Sequence, residues 1–365
     1  MQSKLKLEDA YENLREHLDK YPIGFPASKT GADIRILKHL FDPEEAVIAT
    51  KLTDKYEPLE KIHERSKLDI NISELREKLD TMVSKGAIHY KIVEGEKHYA
   101  NAYLVIGMYE YQLNRLTPEF LGDMSEYAGN EFGMELFGTK ISQFRTVPVE
   151  QSVTAEHSLP TYEELEKLVS NNPGPYVAIE CICRKAHKMG GESCEVTSRY
   201  ETCFGMGEMA HLYINEGWGR EVNRQEALEM LRKNQEDGLV FQAENAIDSN
   251  FICSCCGCCC GVLTSLKEFP KTVDFFTTNY YAQIDADMCV GCGTCIDVCQ
   301  IEAIKMKNEI SKVNKRRCIG CGNCVPRCPE EAIQLIKKDK IEIPPNTQEE
   351  LFARILAKKN EIKST

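Results

Sequence analysis

Eighteen cysteines lie in this 365-residue chain, and none precedes Cys181. Thiols gathered so densely into one half of a chain narrow what it can fold into, because they must be bridged, ligated to metal or kept apart. Eight follow one spacing written twice: Cys289-x2-Cys292-x2-Cys295-x3-Cys299, then Cys318-x2-Cys321-x2-Cys324-x3-Cys328-Pro329. The flanks repeat too. Gly291 and Gly293 answer Gly320 and Gly322, and Glu302-Ala303-Ile304 answers Glu331-Ala332-Ile333, so this stretch is an internal duplication.

Three closely spaced thiolates let one loop wrap three corners of an iron–sulfur cubane, glycines let the backbone approach, and a remote cysteine closes the fourth corner. Zinc usually takes paired Cys-x2-Cys clips instead. In these motifs the sequence resembles bacterial two-cluster ferredoxins over residues 282–336. The resemblance implies a βαββαβ-like module with two 4Fe-4S clusters. It also implies crossed ligation: Cys289, Cys292, Cys295 and Cys328 on one cluster, and Cys318, Cys321, Cys324 and Cys299 on the other. Gln300 departs from the family pattern, which often has proline after the fourth cysteine of the first copy.

The other ten cysteines are Cys181, Cys183, Cys194 and Cys203, then Cys253, Cys255, Cys256, Cys258, Cys259 and Cys260. On an extended segment alternate side chains share a face about 6.6 Å apart, so Cys181 with Cys183, and Cys253 with Cys255, suit the clipping of one metal site each. Arg184, Lys185, His187 and Lys188 follow the first pair and favour thiolate over thiol. The expected occupants are one or two further iron–sulfur clusters, with zinc as the alternative; His157, His187 and His211 are nearby nitrogen donors. The arrangement also resembles multi-cysteine iron–sulfur proteins of anaerobes that join a winged-helix-like N-terminal domain, a Cys-x-Cys-Arg segment, a cysteine-dense run and a two-cluster ferredoxin end. That resemblance implies no particular activity.

Upstream, Leu7, Tyr11, Leu14, Leu18 and Tyr21 predict one amphipathic helix. Asp42-Pro43-Glu44-Glu45 predicts a capped helix running to about Leu52, and a short helix is expected over Leu59 to Arg65. Leu75, Leu79, Met82 and Val83 mark another helix closed by Gly86. Ala87 to Val93 and Lys97 to Ile106 read as a hairpin around Glu94-Gly95. That order is winged-helix-like. Residues 107–160 read as irregular, punctuated by glycines. Tyr176 to Glu180 predicts a strand carrying Cys181 and Cys183, and Asn223 with Glu226 predicts a capped helix ending by Gly238. The expected class is α+β, divided as a winged-helix-like domain (1–150), a cysteine-rich α+β domain (151–270), a ferredoxin module (271–340) and a helical tail (341–365).

A formal charge of −12 opposes general attraction to nucleic acid, and residues 1–150 hold 20 Lys and Arg against 26 Asp and Glu. The helix over Asn71 to Lys85 offers Arg76, Lys78 and Lys85 to phosphates, but the acidic balance makes protein docking the better reading. The N-terminus lacks the apolar core of a signal peptide and no run of 18 apolar residues spans a membrane, so a cytoplasmic location is expected. No glycine fingerprint for nucleotides is present. The expected role is electron transfer to or from a redox protein partner. The rivals are a redox-responsive regulator using the winged-helix-like domain, and a reductase with its substrate centre among the central cysteines.

Overall fold

In the computed structural model, which describes residues 9–152 and 164–364, the chain forms two compact units. One comprises residues up to Thr139 with His211–Trp218 and residues from Ile355 onward; the other comprises Lys140–Ala210 with Gly219–Arg354.

In the first unit, helix α1 (Ala10–Leu18) buries Leu14 and Leu18; Leu7, expected on the same face, lies outside the described residues. Helix α2 (Ala32–Leu40) was not anticipated, although Ala32, Ile36, Leu37 and Leu40 form its buried stripe. Helix α3 (Pro43–Ala49) opens with the expected capping box. Asp42 accepts from the Glu45 N–H at 2.9 Å, and Glu45 accepts from the Asp42 N–H at 2.8 Å. Each side chain thereby satisfies a helix-start donor that would otherwise lack a partner. Strand β1 (Glu57–Pro58) and helix α4 (Leu59–Ser66) precede α5 (Ile72–Ser84), which Asn71 caps through the Glu74 N–H at 2.9 Å. Strands β2 (Ile88–Val93) and β3 (Glu96–Asn101) form the hairpin, with φ of 52° at Glu94 and 85° at Gly95. Two positive values suit the right-handed twist of paired strands. The sheet order is β1-β3-β2.

Two sequence expectations are corrected here. Strand β3 ends at Asn101 rather than Ile106, because the buried Asn101 amide turns onto the Tyr21 hydroxyl and the Ala49 carbonyl, each at 2.9 Å. Residues 107–160 also contain helices α6 (Pro118–Gly129) and α7 (Glu131–Gly138). Thr117 caps α6 through the Phe120 N–H at 3.1 Å, ahead of Pro118. Gly122 lies inside α6 with open space where a Cβ would stand, while Gly129 and Gly138 mark the last residues of α6 and α7.

The second unit is built on a six-stranded antiparallel sheet. Strand β4 (Phe144–Val147) lies at one edge. After helix α8 (Leu165–Asn171) come β5 (Tyr176–Glu180), helix α9 (Ile182–Met189), β6 (Glu201–Met206), helix α10 (Gly207–Asn215) and β7 (Arg220–Val222). Helix α11 (Arg224–Glu236), β8 (Val240–Glu244), β9 (Phe251–Cys255) and helix α12 (Gly261–Lys267) follow. The strand order is β4-β8-β9-β6-β5-β7. One sheet face packs Ala178, Phe204, Phe241 and Ile252 against Leu168 of α8 and Leu231 of α11. Side chains alternate along strands, so Cys203 and Cys253, neighbours of Phe204 and Ile252, project from the opposite face. Cys183 does not continue the strand as expected: Cys181 ends it, with extended φ and ψ, and Cys183 sits in the first turn of α9.

Beyond this sheet, β10 (Tyr280–Ile284), helix α13 (Thr294–Asp297), β11 (Ile304–Lys307), β12 (Ile310–Val313) and β13 (Ile333–Lys337) follow, then helix α14 (Gln348–Lys363). Strands β10 and β13 pair antiparallel, as do β11 and β12. The second short helix of the expected βαββαβ order is a pair of turns. Pro326 stands where Asp297 stands in the first copy, and the Asp297 N–H bonds the Gly293 carbonyl at 3.4 Å, a bond proline cannot make. No described helix is long and apolar enough to cross a membrane.

Glu244, 2% exposed at the end of β8, accepts from the Asn250 N–H at 3.3 Å and from the Gln348 side chain. Burial, with Asp248 nearby, pushes its carboxyl from the ordinary 4.5 up to about 7. The stability this gives is complete below the unfolded value and is lost as pH rises through about 7, on the order of 3 kcal/mol. Thermal unfolding is therefore expected at lower temperature at pH 8 than at pH 6, and Glu244→Gln should flatten that decline. An equal decline in both proteins would show that Glu244 does not drive it.

Candidate metal centres

The two ferredoxin-like loops repeat each other in backbone as well as in sequence. Gly291 and Gly320 have φ of 71° and 65°, Gly293 and Gly322 have 83° and 81°, and Glu302 and Glu331 have 54° and 50°. The Ala303 N–H points at Cys299 Sγ at 3.2 Å, and the Ala332 N–H at Cys328 Sγ at 3.3 Å. The Ala282 N–H meets Cys318 Sγ at 3.3 Å. Such N–H groups stabilise negative charge on sulfur. Cys289, Cys292, Cys295 and Cys328 line one small cavity. Burial first, and then neighbouring thiolates including Cys299, push up Cys318 and Cys324, and bring Cys321 to about 12. The first set is the more open, with Cys292 exposed, whereas Cys318 and Cys324 are buried.

The ten central cysteines fall into two groups. Cys181 is within hydrogen-bonding reach of Cys183 and Cys203, Cys183 of Cys260, Cys203 of Cys253, Cys253 of Cys255, and Cys255 of Cys260, which closes a ring of six. The N-cap and first turn of α9, the cysteine face of β6 and β9, and the N-cap of α12 supply its members. Neighbouring thiols hold Cys181 well below the ordinary thiol range and push the other five well above it, with burial adding to the rise. Cys194, Cys256, Cys258 and Cys259 form the second group. Burial opposes ionisation of Cys194, but N–H groups of Thr197 and Val196 and the Arg184 guanidinium bring it to about 7. Burial pushes Cys256 up to about 11.

Arg184, itself buried, lies at both groups. It donates to the Thr202 hydroxyl, to the Ser254 carbonyl at 2.9 Å and toward Cys256 Sγ at 3.7 Å. His187 pairs with Glu192 at 3.2 Å and His211 is exposed, while His157 lies outside the described residues. Gln300, visible in the sequence only as a departure from proline, has a clear task. Its side-chain oxygen accepts from the buried Gly257 N–H at 2.7 Å, and a Cβ on Gly257 would lie 2.2 Å from the Gln300 carbonyl. The cysteine-dense run therefore rests directly on the loop after Cys299. Between them opens a cleft of about 850 Å³ with Cys258 and Cys299 in its lining.

Residues 282–335 match the family of the 4Fe-4S dicluster domain. A 30-residue stretch, 8% of this chain, is 43% identical to Ferredoxin-2 of Desulfomicrobium norvegicum and covers 51% of it. The chain thus spans about half the length of that relative. No solved structure matches the chain. The chain carries a ferredoxin-type iron–sulfur domain.

The loop glycines are not equivalent. A Cβ on Gly320 would lie 2.5 Å from the Tyr280 carbonyl oxygen and 2.6 Å from Thr278 Oγ1, whereas one on Gly293 meets open space. Both have positive φ. Gly293→Ala is expected to cost only the conformational penalty of about 1–2 kcal/mol and to keep its iron. Gly320→Ala adds a clash with backbone and should lower iron and sulfide per chain. Equal metal content in the two variants would contradict this.

Proposed function

We propose that this chain is a cytoplasmic electron-transfer protein holding two 4Fe-4S clusters in its ferredoxin-type domain and a further iron–sulfur cluster among the six ringed thiols, exchanging electrons with a redox protein partner. The observation that carries the reading is the duplicated loop, with the same positive-φ positions and the same N–H contacts to sulfur in both copies, inside a matched 4Fe-4S dicluster domain. Each cluster, when bound, takes up and returns one electron. Cys289, Cys292, Cys295 and Cys328 are the proposed ligands of one cluster, and Cys318, Cys321, Cys324 and Cys299 those of the other. Met288 and Val290 are exposed apolar side chains beside exposed Cys292, with Asp285 and Asp287 exposed around them. An apolar spot with an acidic rim suits a partner whose docking face is apolar with a basic rim.

The ion pairs of the first unit favour docking over duplex recognition by the proposed winged-helix-like domain. Arg76, Lys78 and Lys85 lie 3.6, 2.6 and 2.5 Å from carboxylates of Glu96, Glu44 and Glu45. Cations already engaged by carboxylates offer phosphates less.

Anaerobically prepared protein is expected to contain about 12 iron and about 12 acid-labile sulfide per chain, with reduced-cluster EPR signals. Iron at or below about 8 would remove the third cluster, and absence of EPR signals on reduction would remove the electron-transfer reading. A separate expectation concerns Lys338, half-buried, which donates to the Thr278 carbonyl at 2.8 Å and whose charge favours the Cys318 thiolate. A cation about 8 Å away contributes about 2 kcal/mol at an effective dielectric of about 20. Lys338→Gln should therefore lower the potential of one cluster and leave the other nearly fixed in an EPR-monitored titration. Equal shifts, or none, would refute the assignment.

A further inference from the structure

Four of the central thiols stand apart by their spacing. Cys194 Sγ lies 3.6 Å from Cys256 Sγ and 3.8 Å from Cys258 Sγ, and Cys258 Sγ lies 3.6 Å from Cys259 Sγ. All four sulfurs fall within 4.8 Å of one another. A tetrahedral ion with metal–sulfur bonds of about 2.3 Å sets its ligand sulfurs about 3.8 Å apart, which is the spacing seen here. A cubane binds each cysteine through a different iron and keeps its own core between them, so its cysteine sulfurs stand wider. The chain supplies its own comparison: among the described residues, neither set of ferredoxin cysteines forms so close a group.

The chain path fits a staple. Cys194 lies on a stretch between α9 and β6 that has neither helix nor strand, and the other three thiols lie on the turn between β9 and α12. One ion bound by all four fastens these two segments together. The charge also fits: four thiolates around a divalent ion leave a net −2, and the Arg184 guanidinium, 3.7 Å from Cys256 Sγ, offsets part of it.

We propose that Cys194, Cys256, Cys258 and Cys259 bind one tetrahedral divalent ion, zinc or iron(II), and not an iron–sulfur cubane. This stands whether or not the ringed thiols hold a cluster. The test compares anaerobically purified full-length protein with its Cys194→Ser and Cys259→Ser variants for zinc, iron and acid-labile sulfide. Loss of about one metal ion per chain with no loss of sulfide is expected, zinc or iron being told apart by which one is lost. Loss of about four irons with four sulfides in either variant overturns the proposal, as does unchanged metal content in both. Should the variants not accumulate, X-ray absorption and Mössbauer spectra of the unaltered protein decide. One zinc with a four-sulfur shell near 2.3 Å, or one iron in excess of sulfide with ferrous tetrahedral parameters, supports it; zinc-free protein with iron equal to sulfide overturns it.

Discussion

A guanidinium withdrawn from water between two groups of thiols is the interaction on which the central region turns. Arg184 is 2% exposed, and removing a full charge from water costs several kcal/mol unless an opposite charge lies close. The opposite charge here is sulfur. Burial disfavours the Arg184 cation, but Cys181, Cys256 and Cys203 more than offset this and hold it charged. In return the guanidinium helps bring Cys194 to about 7 and favours the Cys181 thiolate. Cation burial and thiol ionisation are thus one coupled effect. Five of the six ringed thiols are nevertheless driven toward the neutral form, and a metal that displaces their protons contributes its binding free energy to folding.

The same region fixes the ferredoxin-type loops in place. The Val149 N–H donates to the Cys321 carbonyl at 2.9 Å, and the Asn323 amide donates to the Gly238 carbonyl at 2.7 Å. Arg317 donates to the Phe269 and Lys267 carbonyls, both at 2.9 Å. Together with the Gly257 to Gln300 bond, these contacts come from the segment after β4, the turn after α11, the end of α12 and the cysteine-dense run. The Cys321 carbonyl is thereby paired, and the Asn323, Arg317 and Gln300 side chains in turn satisfy backbone groups of the segments that flank the sheet, as buried backbone requires. Both copies of the duplication therefore belong to the same unit as the central cysteines.

What was legible in the sequence was what local chemistry decides. The Asp42 to Glu45 box, the Asn223 cap and the Glu94-Gly95 turn all appear where their side chains or backbone required them. Helices α6 and α7 were hidden because glycine was read as punctuation, although Thr117-Pro118 was a start signal of the same kind as Asp42-Pro43. The division of ten cysteines into six and four was not legible. It depends on which sheet face Cys203 and Cys253 occupy, and on a long turn that carries Cys194 back to the run 62 residues later. Gln300 was visible as an oddity, but its acceptor role needs the cysteine run brought against it in space.

The acidic cleft bears on the choice between carrier and reductase. Glu192, Glu195, Asp297 and Glu302 line it, and among the described residues of the lining only His187 and Lys267 bring compensating groups, each already facing one of those carboxylates. Under the proposed loading, Cys258 and Cys299 in the same lining place anionic metal–thiolate charge behind the carboxylates. Walls of one sign focus potential into a cleft and repel solutes of that sign. An anionic small molecule is thereby disfavoured there, which leaves neutral or cationic substrates for any reductase reading. The Met288 and Val290 edge carries no such burden, because its apolar side chains are exposed and the acids stand around them. The proposed electron exchange by contact with a protein favours an apolar patch that loses its water on docking, with charge at its rim, and exposed Met288 and Val290 with Asp285 and Asp287 around them fit it.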